Sequence, residues 1–167
     1  LHLSLRRQRQ MCIRDRLTEA AEVLEKYGAD KARAEKLLEE AKEVAINMVN
    51  FTLSHGMDTD GGLFDEGHEE GGIAVPNKVW WVQAEAVVGS VNAWQITGDE
   101  KYLDSALKSW AYIKAEIING PAGEWFASGK NSPDEENSHL LCGPWKCPYH
   151  NARAAFEIYE RCEALEK

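Results

Sequence analysis

The sequence contains no run of about 18 consecutive apolar residues, so no segment has the length of a transmembrane helix. It is also poor in basic residues: 19 Lys and Arg stand against 28 Asp and Glu, for a formal net charge of -9. A partner rich in phosphate needs a basic face that displaces its counterions. The composition therefore argues against a nucleic acid or a membrane surface as partner and favours a small neutral molecule.

Cysteine is scarce and scattered, which excludes the disulfide framework of a small secreted domain. The four cysteines are Cys12, Cys142, Cys147 and Cys162. Taken together with His150, the last three match none of the common zinc-ligand spacings. We therefore expect a cytoplasmic protein and no zinc site at these residues.

The first sixteen residues differ in character from the rest. They include the basic residues Arg6, Arg7, Arg9, Arg14 and Arg16. No apolar stretch follows these arginines, as a signal peptide would require. We interpret residues 1–16 as the translation of a sequencing or assembly artefact. The fold prediction accordingly rests on residues 17–167, treated as part of a single domain.

Beyond this leader, apolar residues recur at the spacing of helices rather than strands. Residues 31–54 are predicted to form an amphipathic helix. Its inward stripe is predicted to consist of Leu37, Ala41, Val44, Met48 and Phe51. A second helix is predicted over residues 77–97, with Asn77 as N-cap and Gly98 as C-terminal stop. Asp99 then caps a third helix, and so short a link predicts an antiparallel hairpin.

A last helix is predicted over residues 148–165. Its inward residues are predicted to be Ala152, Ala155, Phe156, Tyr159 and Cys162. Two long glycine-bearing stretches separate the helices, residues 55–72 with a short hairpin around Leu63-Phe64 and residues 121–144. Loops of this length are uncommon unless they are functional. The pattern predicts an all-α toroid of helix hairpins whose long loops cover a pocket at one end.

An aromatic residue and a carboxylate share one face of the second predicted helix. Trp81 and Glu85 are four residues apart and lie off the main apolar stripe. A ring beside a carboxylate suits a carbohydrate, because the ring packs on the apolar sugar face and the carboxylate accepts hydroxyl hydrogen bonds. The alternative is that Trp81 is a core residue and Glu85 is solvated.

His150 lies in the first turn of the last predicted helix. The helix dipole and the unpaired N–H groups of that turn disfavour an imidazolium ion there. A neutral histidine is a competent base near neutral pH, so His150 is a candidate catalytic residue. The alternative is a structural histidine that only donates hydrogen bonds.

These two segments resemble the N-acylglucosamine 2-epimerase family, and within it the cellobiose 2-epimerase branch. Residues 79–85, VWWVQAE, are similar to the family's helix in which a glutamate follows an aromatic pair. Residues 143–151, GPWKCPYHN, are similar to its C-terminal histidine motif. The resemblance extends over residues 17–165 and implies an (α/α)6 barrel, of which this chain is the C-terminal part.

The resemblance also implies a reaction. Enzymes of this kind invert carbon 2 of a reducing-end sugar through a cis-enediolate, and convert cellobiose to glucosyl-mannose without metal or nucleotide. On this basis His150 is expected to be one of two acid/base histidines, and Glu85 to orient the substrate or a histidine. Trp81 and Trp145 are expected to hold the sugar rings of a disaccharide or monosaccharide.

Part of the family's catalytic apparatus is expected to lie outside this chain. The second histidine belongs to a histidine-x-x-glutamate-x-x-tryptophan motif that should end just before residue 17, and the family's N-terminal arginine is missing too. We therefore expect the fragment alone to be inactive. Exposed apolar helix faces should also make it poorly stable or prone to aggregate, and its oligomeric state is left open.

Other functions remain open, both within the family and outside it. Within the family these are N-acylglucosamine 2-epimerase and mannose or aldose-ketose isomerase, although residues 145–151 favour the cellobiose type. A glycoside hydrolase on the same barrel needs two carboxylates. Glu85 with Asp65 or Glu66 would supply them, but His150 would then have no role. A protein-binding helical repeat would have short loops, unlike this chain.

Overall fold

The computed structural model describes residues 17–68, 71–133 and 138–165, so the leader discussed above lies outside the described residues. Residues 17–27 form helix α1. The other main helices are α2 (Lys31–Gly56), α3 (Trp80–Thr97), α4 (Glu100–Tyr112), which continues into a π-helical turn (Ile113–Ile117), and α5 (Tyr149–Leu165). The connections contain two antiparallel hairpins, β1 (Glu66–Gly67) with β2 (Ile73–Val75) and β3 (Ile118–Asn119) with β4 (Glu124–Trp125), and a 3₁₀ turn (Gly120–Ala122). In these ranges no helix has both the length and the apolar character needed to cross a membrane.

Helix α3 is the central element and packs against α2, α4 and α5. Most of its residues are buried, which agrees with its sequence, because a helix covered on several sides must be small or apolar nearly all round. One core cluster joins the start of α3 to the end of α4 and to the long loop after it. That cluster consists of Trp80, Tyr112, Ile113, Ile117 and Ala127.

The link between α3 and α4 has the chemistry that the sequence predicts. Gly98 ends α3 at φ 70°, where glycine meets no Cβ strain, and its N–H donates to the carbonyl of Trp94. The carboxylate of Asp99 then accepts the N–H of Lys101 at the start of α4. The two helices pack side by side across this link, so the predicted helix hairpin is confirmed.

Polar side chains near the start of α3 hold the long connection that precedes it. The buried amide of Gln83 donates to the carbonyl of Leu63 at 2.7 Å and accepts its N–H at 2.8 Å. The ammonium group of Lys78 forms ion pairs with Asp58 at 2.7 Å and Asp60 at 2.6 Å. The connection is therefore fixed at both its backbone and its charged side chains.

One of the two predictions for this connection is wrong. Helix α3 begins at Trp80, after an extended Val79 without a side-chain cap, so Asn77 is not its N-cap. The backbone carbonyl of Asn77 instead accepts the N–H of Asp65 at 2.7 Å, which keeps this segment extended. The short hairpin expected around Leu63-Phe64 is present: Leu63 forms an antiparallel bridge with Met57, and the N–H of Phe64 donates to the carbonyl of Gly56 at 3.0 Å.

Helix α2 buries a different face from the one predicted. Its buried residues are Ala34, Ala45 and Val49, whereas Val44 and Phe51 of the predicted stripe are 47% and 49% exposed. Both faces carry apolar residues, and the buried one includes Ile46 and Leu53, which pack with Val49 against Ala93 and Tyr102. Periodicity alone does not distinguish two such faces.

The predicted inward face of α5 is also wrong. The helix buries Ala154 against Ala84 and Val88 of α3, while Phe156 and Tyr159 are 71% and 62% exposed. The other three predicted inward residues are likewise exposed, namely Ala152, Ala155 and Cys162. The reason lies in α3, which presents a buried carboxylate to α5, so that a partly charged side of α5 faces it.

Candidate active site

The carboxylate of Glu85 is the centre of the candidate site. It is 0% exposed, in the middle of α3, so the predicted alternative of a solvated Glu85 does not hold. A buried carboxylate is strongly unfavourable unless charged or hydrogen-bonding groups surround it. Two such groups come from the first turns of α5: Nδ1 of His150 lies 2.8 Å from Oε1, and the guanidinium of Arg153 forms an ion pair with Oε2.

The protonation of Glu85 follows from these contacts. Burial by itself would raise the pKa of the Glu85 carboxyl, but the hydrogen bond from His150 and the charge of Arg153 outweigh it and hold this pKa below its usual value. Glu85 is therefore ionised near neutral pH and can only accept hydrogen bonds. Nδ1 of His150 must then carry the proton that it shares with Glu85.

This contact sets the tautomer of His150. In a neutral imidazole with the proton on Nδ1, the lone pair lies on Nε2. The carboxylate orients the ring and stabilises the imidazolium that forms when Nε2 takes up a proton, which is the arrangement of a general base oriented by a carboxylate. His150 belongs to the first turn of α5, as predicted, and its side chain is 24% exposed.

Aromatic rings pack against His150. The ring centroid of Trp81 lies 5.7 Å from that of His150, and Tyr149 contacts it edge-on at 5.0 Å. Trp81 also packs on the core residues Leu63 and Val82. Trp81 is thus partly a core residue and also lies beside the histidine, and its expected contact with a sugar ring remains a prediction.

A second polar network supports the start of α5, and sequence analysis missed it. Oε1 of Glu124 accepts hydrogen bonds from Lys146 at 3.1 Å and from Asn151 at 3.0 Å. Lys146 is buried and its ammonium lies 5.2 Å from the ring centroid of Trp80. Since Asn151 follows His150 directly, this network fixes the loop before α5 and the first turn that carries the histidine.

The pKa of Glu124 agrees with such a supporting role. Burial acts to raise the pKa of this carboxyl, but hydrogen bonds from the backbone of Trp125 and from Lys146 and Asn151 lower it overall. Glu124 is therefore ionised and pairs with the buried Lys146. The sequence offers little to find this pair, because the two residues are 22 positions apart in an irregular segment.

Trp145 is not brought to this cluster. Its side chain is 91% exposed, although its neighbour Lys146 is anchored. Its predicted contact with a sugar ring remains a prediction. Among the described residues no group of three or more His, Cys, Asp or Glu is placed to hold a metal ion, and Cys142, Cys147 and Cys162 are exposed thiols.

The carboxylates proposed for glycoside hydrolysis lie elsewhere. Asp65 and Glu66 belong to the loop and hairpin before α3, where the N–H of Asp65 donates to Asn77. Oδ1 of Asp65 is buried with no hydrogen-bond partner in the described part of the chain. Burial, with a smaller contribution from the charge of Glu66, raises the pKa of Asp65 to about 6. Asp65 thus has its own local environment, distinct from the Glu85 and His150 pair.

Together, these packed helices around a buried carboxylate–histidine pair define an all-α protein with a candidate acid/base site. The chain belongs to the N-acylglucosamine 2-epimerase family, whose model matches residues 16–154. It is 48% identical over 85 residues to a cellobiose 2-epimerase of Ruminococcus albus, covering 50% of this chain and 22% of that protein. It is 34% identical over 120 residues to one of Bacteroides fragilis, covering 70% and 30%.

Solved structures agree on the fold. The cellobiose 2-epimerase of Spirochaeta thermophila matches with a TM-score of 0.66 and 31% identity, covering 95% of this chain and 37% of that one. The chain therefore has the fold of part of an (α/α)6 barrel, as predicted. It spans well under half the length of these relatives.

Proposed function

We propose that a protein containing this chain epimerises carbon 2 of the reducing-end sugar of a β-1,4-linked disaccharide, converting cellobiose to glucosyl-mannose, with His150 as one of its acid/base groups. The observation that carries the proposal is the 2.8 Å contact between Nδ1 of His150 and the fully buried carboxylate of Glu85. The similarity to cellobiose 2-epimerases supplies the substrate class.

The chemistry requires a base at carbon 2. When a base removes the carbon 2 proton of an open-chain aldose, the C–H electron pair forms the C1=C2 bond and the carbonyl oxygen becomes an enediolate oxygen. Nε2 of His150 is the nitrogen suited to this step, because Glu85 holds the proton on Nδ1 and stabilises the resulting imidazolium. A second acid/base group on the opposite face then returns a proton to carbon 2 and inverts its configuration.

Aromatic side chains account for substrate positioning. Trp81 packs against His150, so a sugar ring stacked on its indole would bring carbon 2 near the imidazole. Trp145 precedes the anchored Lys146 and is exposed, which suits a platform for the second ring of a disaccharide. Both roles belong to the proposal.

The relatives' length bears on how the activity is assembled. Because the chain spans 22% to 37% of the relatives cited above, we propose that it is inactive by itself and that the second acid/base group comes from the rest of such a barrel. The experiment therefore compares this chain alone with the same chain joined in frame to the N-terminal portion of the Ruminococcus albus relative, which we call the joined protein.

The assay is incubation with cellobiose in deuterated water. The joined protein is expected to give glucosyl-mannose with deuterium at carbon 2, and His150→Ala to abolish both. His139→Ala is the matched control, since His139 is an exposed histidine that contacts Phe126 rather than Glu85. Release of glucose without deuterium at carbon 2 would instead indicate hydrolysis and refute the proposed reaction.

A further inference from the structure

A row of charged side chains on α5 faces α3. Arg153, Glu157 and Arg161 follow one another at intervals of four residues, which places them on one side of the helix. Arg153 Nη1 lies 2.6 Å from Glu157 Oε2, and Arg161 Nη2 lies 2.9 Å from Glu157 Oε1. Their side chains are only 15%, 11% and 17% exposed, so this is not an ordinary surface ladder.

The row continues onto α3 at both ends. Arg153 pairs with the buried Glu85, and Arg161 donates to the side chain of Gln95. Bringing several charges out of water is unfavourable, and an apolar seam would hold two helices together at least as well. Large apolar side chains were available for such a seam, because Phe156 and Tyr159 point away from α3. The charged row therefore calls for a reason other than packing.

We infer that Arg153 is a positioning residue that supplies the lasting positive charge beside Glu85, so that His150 can be neutral when the substrate arrives. This inference rests on the proposed role of His150 as a base. A buried carboxylate favours positive charge on whatever groups touch it. Arginine keeps its proton at any pH of interest, whereas histidine gains or loses one near neutrality.

Without the guanidinium of Arg153, the Glu85 carboxylate would therefore favour a positive charge on His150 more strongly. The imidazolium form would gain stability, and a protonated imidazole cannot take a proton from carbon 2. Glu157 accepts a hydrogen bond from Nη1 of Arg153, whereas Glu85 accepts one from Nη2. The guanidinium is thereby held in one orientation.

Other charged groups near His150 are arranged differently. From α3 the histidine faces Glu85, and on its own helix it has the ring of Tyr149 beside it and Arg153 one turn on. The loop before α5 and strand β4 contribute the Lys146 and Glu124 ion pair, which is internally neutralised and reaches α5 through Asn151. Arg153 is thus a cation in direct contact with the same carboxylate that holds His150.

The test compares Arg153→Met with Arg161→Met in the joined protein described above. The readout is the pH dependence of deuterium incorporation at carbon 2 of cellobiose. Arg153→Met should move the acidic limb of kcat/KM to higher pH, because the Glu85 carboxylate then favours the imidazolium form of His150 more strongly. Activity below the limb should fall about tenfold for each unit, and recover at alkaline pH.

Two further variants guard against a purely structural effect. Arg153→Lys keeps a cation and should bring the acidic limb of kcat/KM most of the way back to its wild-type position, although less well than the planar guanidinium does. Arg161→Met removes a similar side chain that shares Glu157 but does not touch Glu85, and should leave the limb in place. Equal loss of activity at every pH in Arg153→Met, or the same displacement in Arg161→Met, would overturn the inference.

An NMR titration separates this inference from the proposed function. The ring protons of His150 can be followed with pH in wild type and in the three variants, with circular dichroism to confirm that each is folded. A higher titration midpoint in Arg153→Met than in wild type is expected whether or not sugar is turned over. An unchanged midpoint refutes the role of Arg153, whereas a raised midpoint without any deuterium exchange in wild type refutes only the proposed reaction.

Discussion

Replacing Asp65 by asparagine should stabilise the protein at neutral pH. Burial leaves Oδ1 of Asp65 without a partner and raises the pKa of its carboxyl to about 6, from an ordinary value of 3.8. Because the pKa is higher in the folded state, the stabilising contribution is complete below about pH 4 and is lost as the pH rises through 6. At pH 7 the folded protein therefore carries an unfavourable buried charge.

The size of the effect follows from the shift in pKa. A difference of about 2 units at about 1.4 kcal/mol for each unit gives at most about 3 kcal/mol between acid and neutral pH. Asparagine has nearly the same shape and no charge. Asp65→Asn should thus gain up to about 3 kcal/mol over wild type at pH 7, or roughly 6 to 12 °C in Tm for a chain of this size, and little at pH 4.

Urea unfolding followed by tryptophan fluorescence measures this difference directly. Asp104→Asn is the control, because Asp104 is an exposed carboxylate on α4, and it should change the free energy of unfolding little at either pH. The reasoning is refuted if Asp65→Asn is less stable than wild type at pH 7, or if its advantage is the same at pH 4 and pH 7. The variant should also retain deuterium exchange at carbon 2, since Asp65 has no part in the proposed reaction.

Two further predictions concern the loop that precedes α3. Gly61→Ala should destabilise the protein by more than about 2 kcal/mol, because Gly61 has φ 87° and a Cβ there would lie 2.6 Å from the carbonyl oxygen of Lys108. Gly56→Ala is the control. A Cβ at Gly56 meets nothing within 4 Å, so this variant should be neutral or slightly stabilising in the same urea assay. Lys78→Met should cost about 1 to 3 kcal/mol, because it leaves two half-buried aspartates facing each other without their cation. If 1 M salt, which screens exposed pairs, removed the stability difference between wild type and Lys78→Met, that would contradict the view that the Lys78 ion pairs are effectively buried.

Local features of the fold were predictable from sequence. Gly98 and Asp99 act on their immediate neighbours, so the stop of α3 and the start of α4 follow from two residues. Likewise, Trp81 and Glu85 share a face because they are four residues apart, and His150 lies in a first turn because Pro148 precedes it. In each case the deciding contacts lie within one turn of helix.

Features that depend on distant partners were not predictable in this way. The face of α5 was predicted from its apolar residues, but Glu85, more than 60 positions away, attracts Arg153 and so turns Phe156 outward. The same holds for Lys146, whose burial depends on Glu124 in another segment. A signal for Arg153 was nevertheless present, since it follows His150 by three residues and precedes Glu157 by four.

The exposed apolar faces bear on the expectation of poor stability. In the described residues, Phe51 on α2 and Phe156, Tyr159 and Leu165 on α5 are all about half exposed or more. Surfaces of this kind favour association when nothing covers them. Aggregation of the chain alone remains a prediction. Light scattering that compares this chain alone with the joined protein would test it.

The most direct test of the account is deuterium incorporation at carbon 2 of cellobiose by the joined protein and its Glu85→Gln variant. Glutamine keeps the shape of the side chain but removes the charge that holds the proton of His150 on Nδ1 and stabilises the imidazolium. We predict deuterated glucosyl-mannose from wild type and a loss of about 10²- to 10⁴-fold in kcat for the variant, the range expected when general acid/base catalysis fails. Exchange by the folded variant within a few-fold of wild type would contradict the claim that the buried carboxylate–histidine pair carries out the proton transfer.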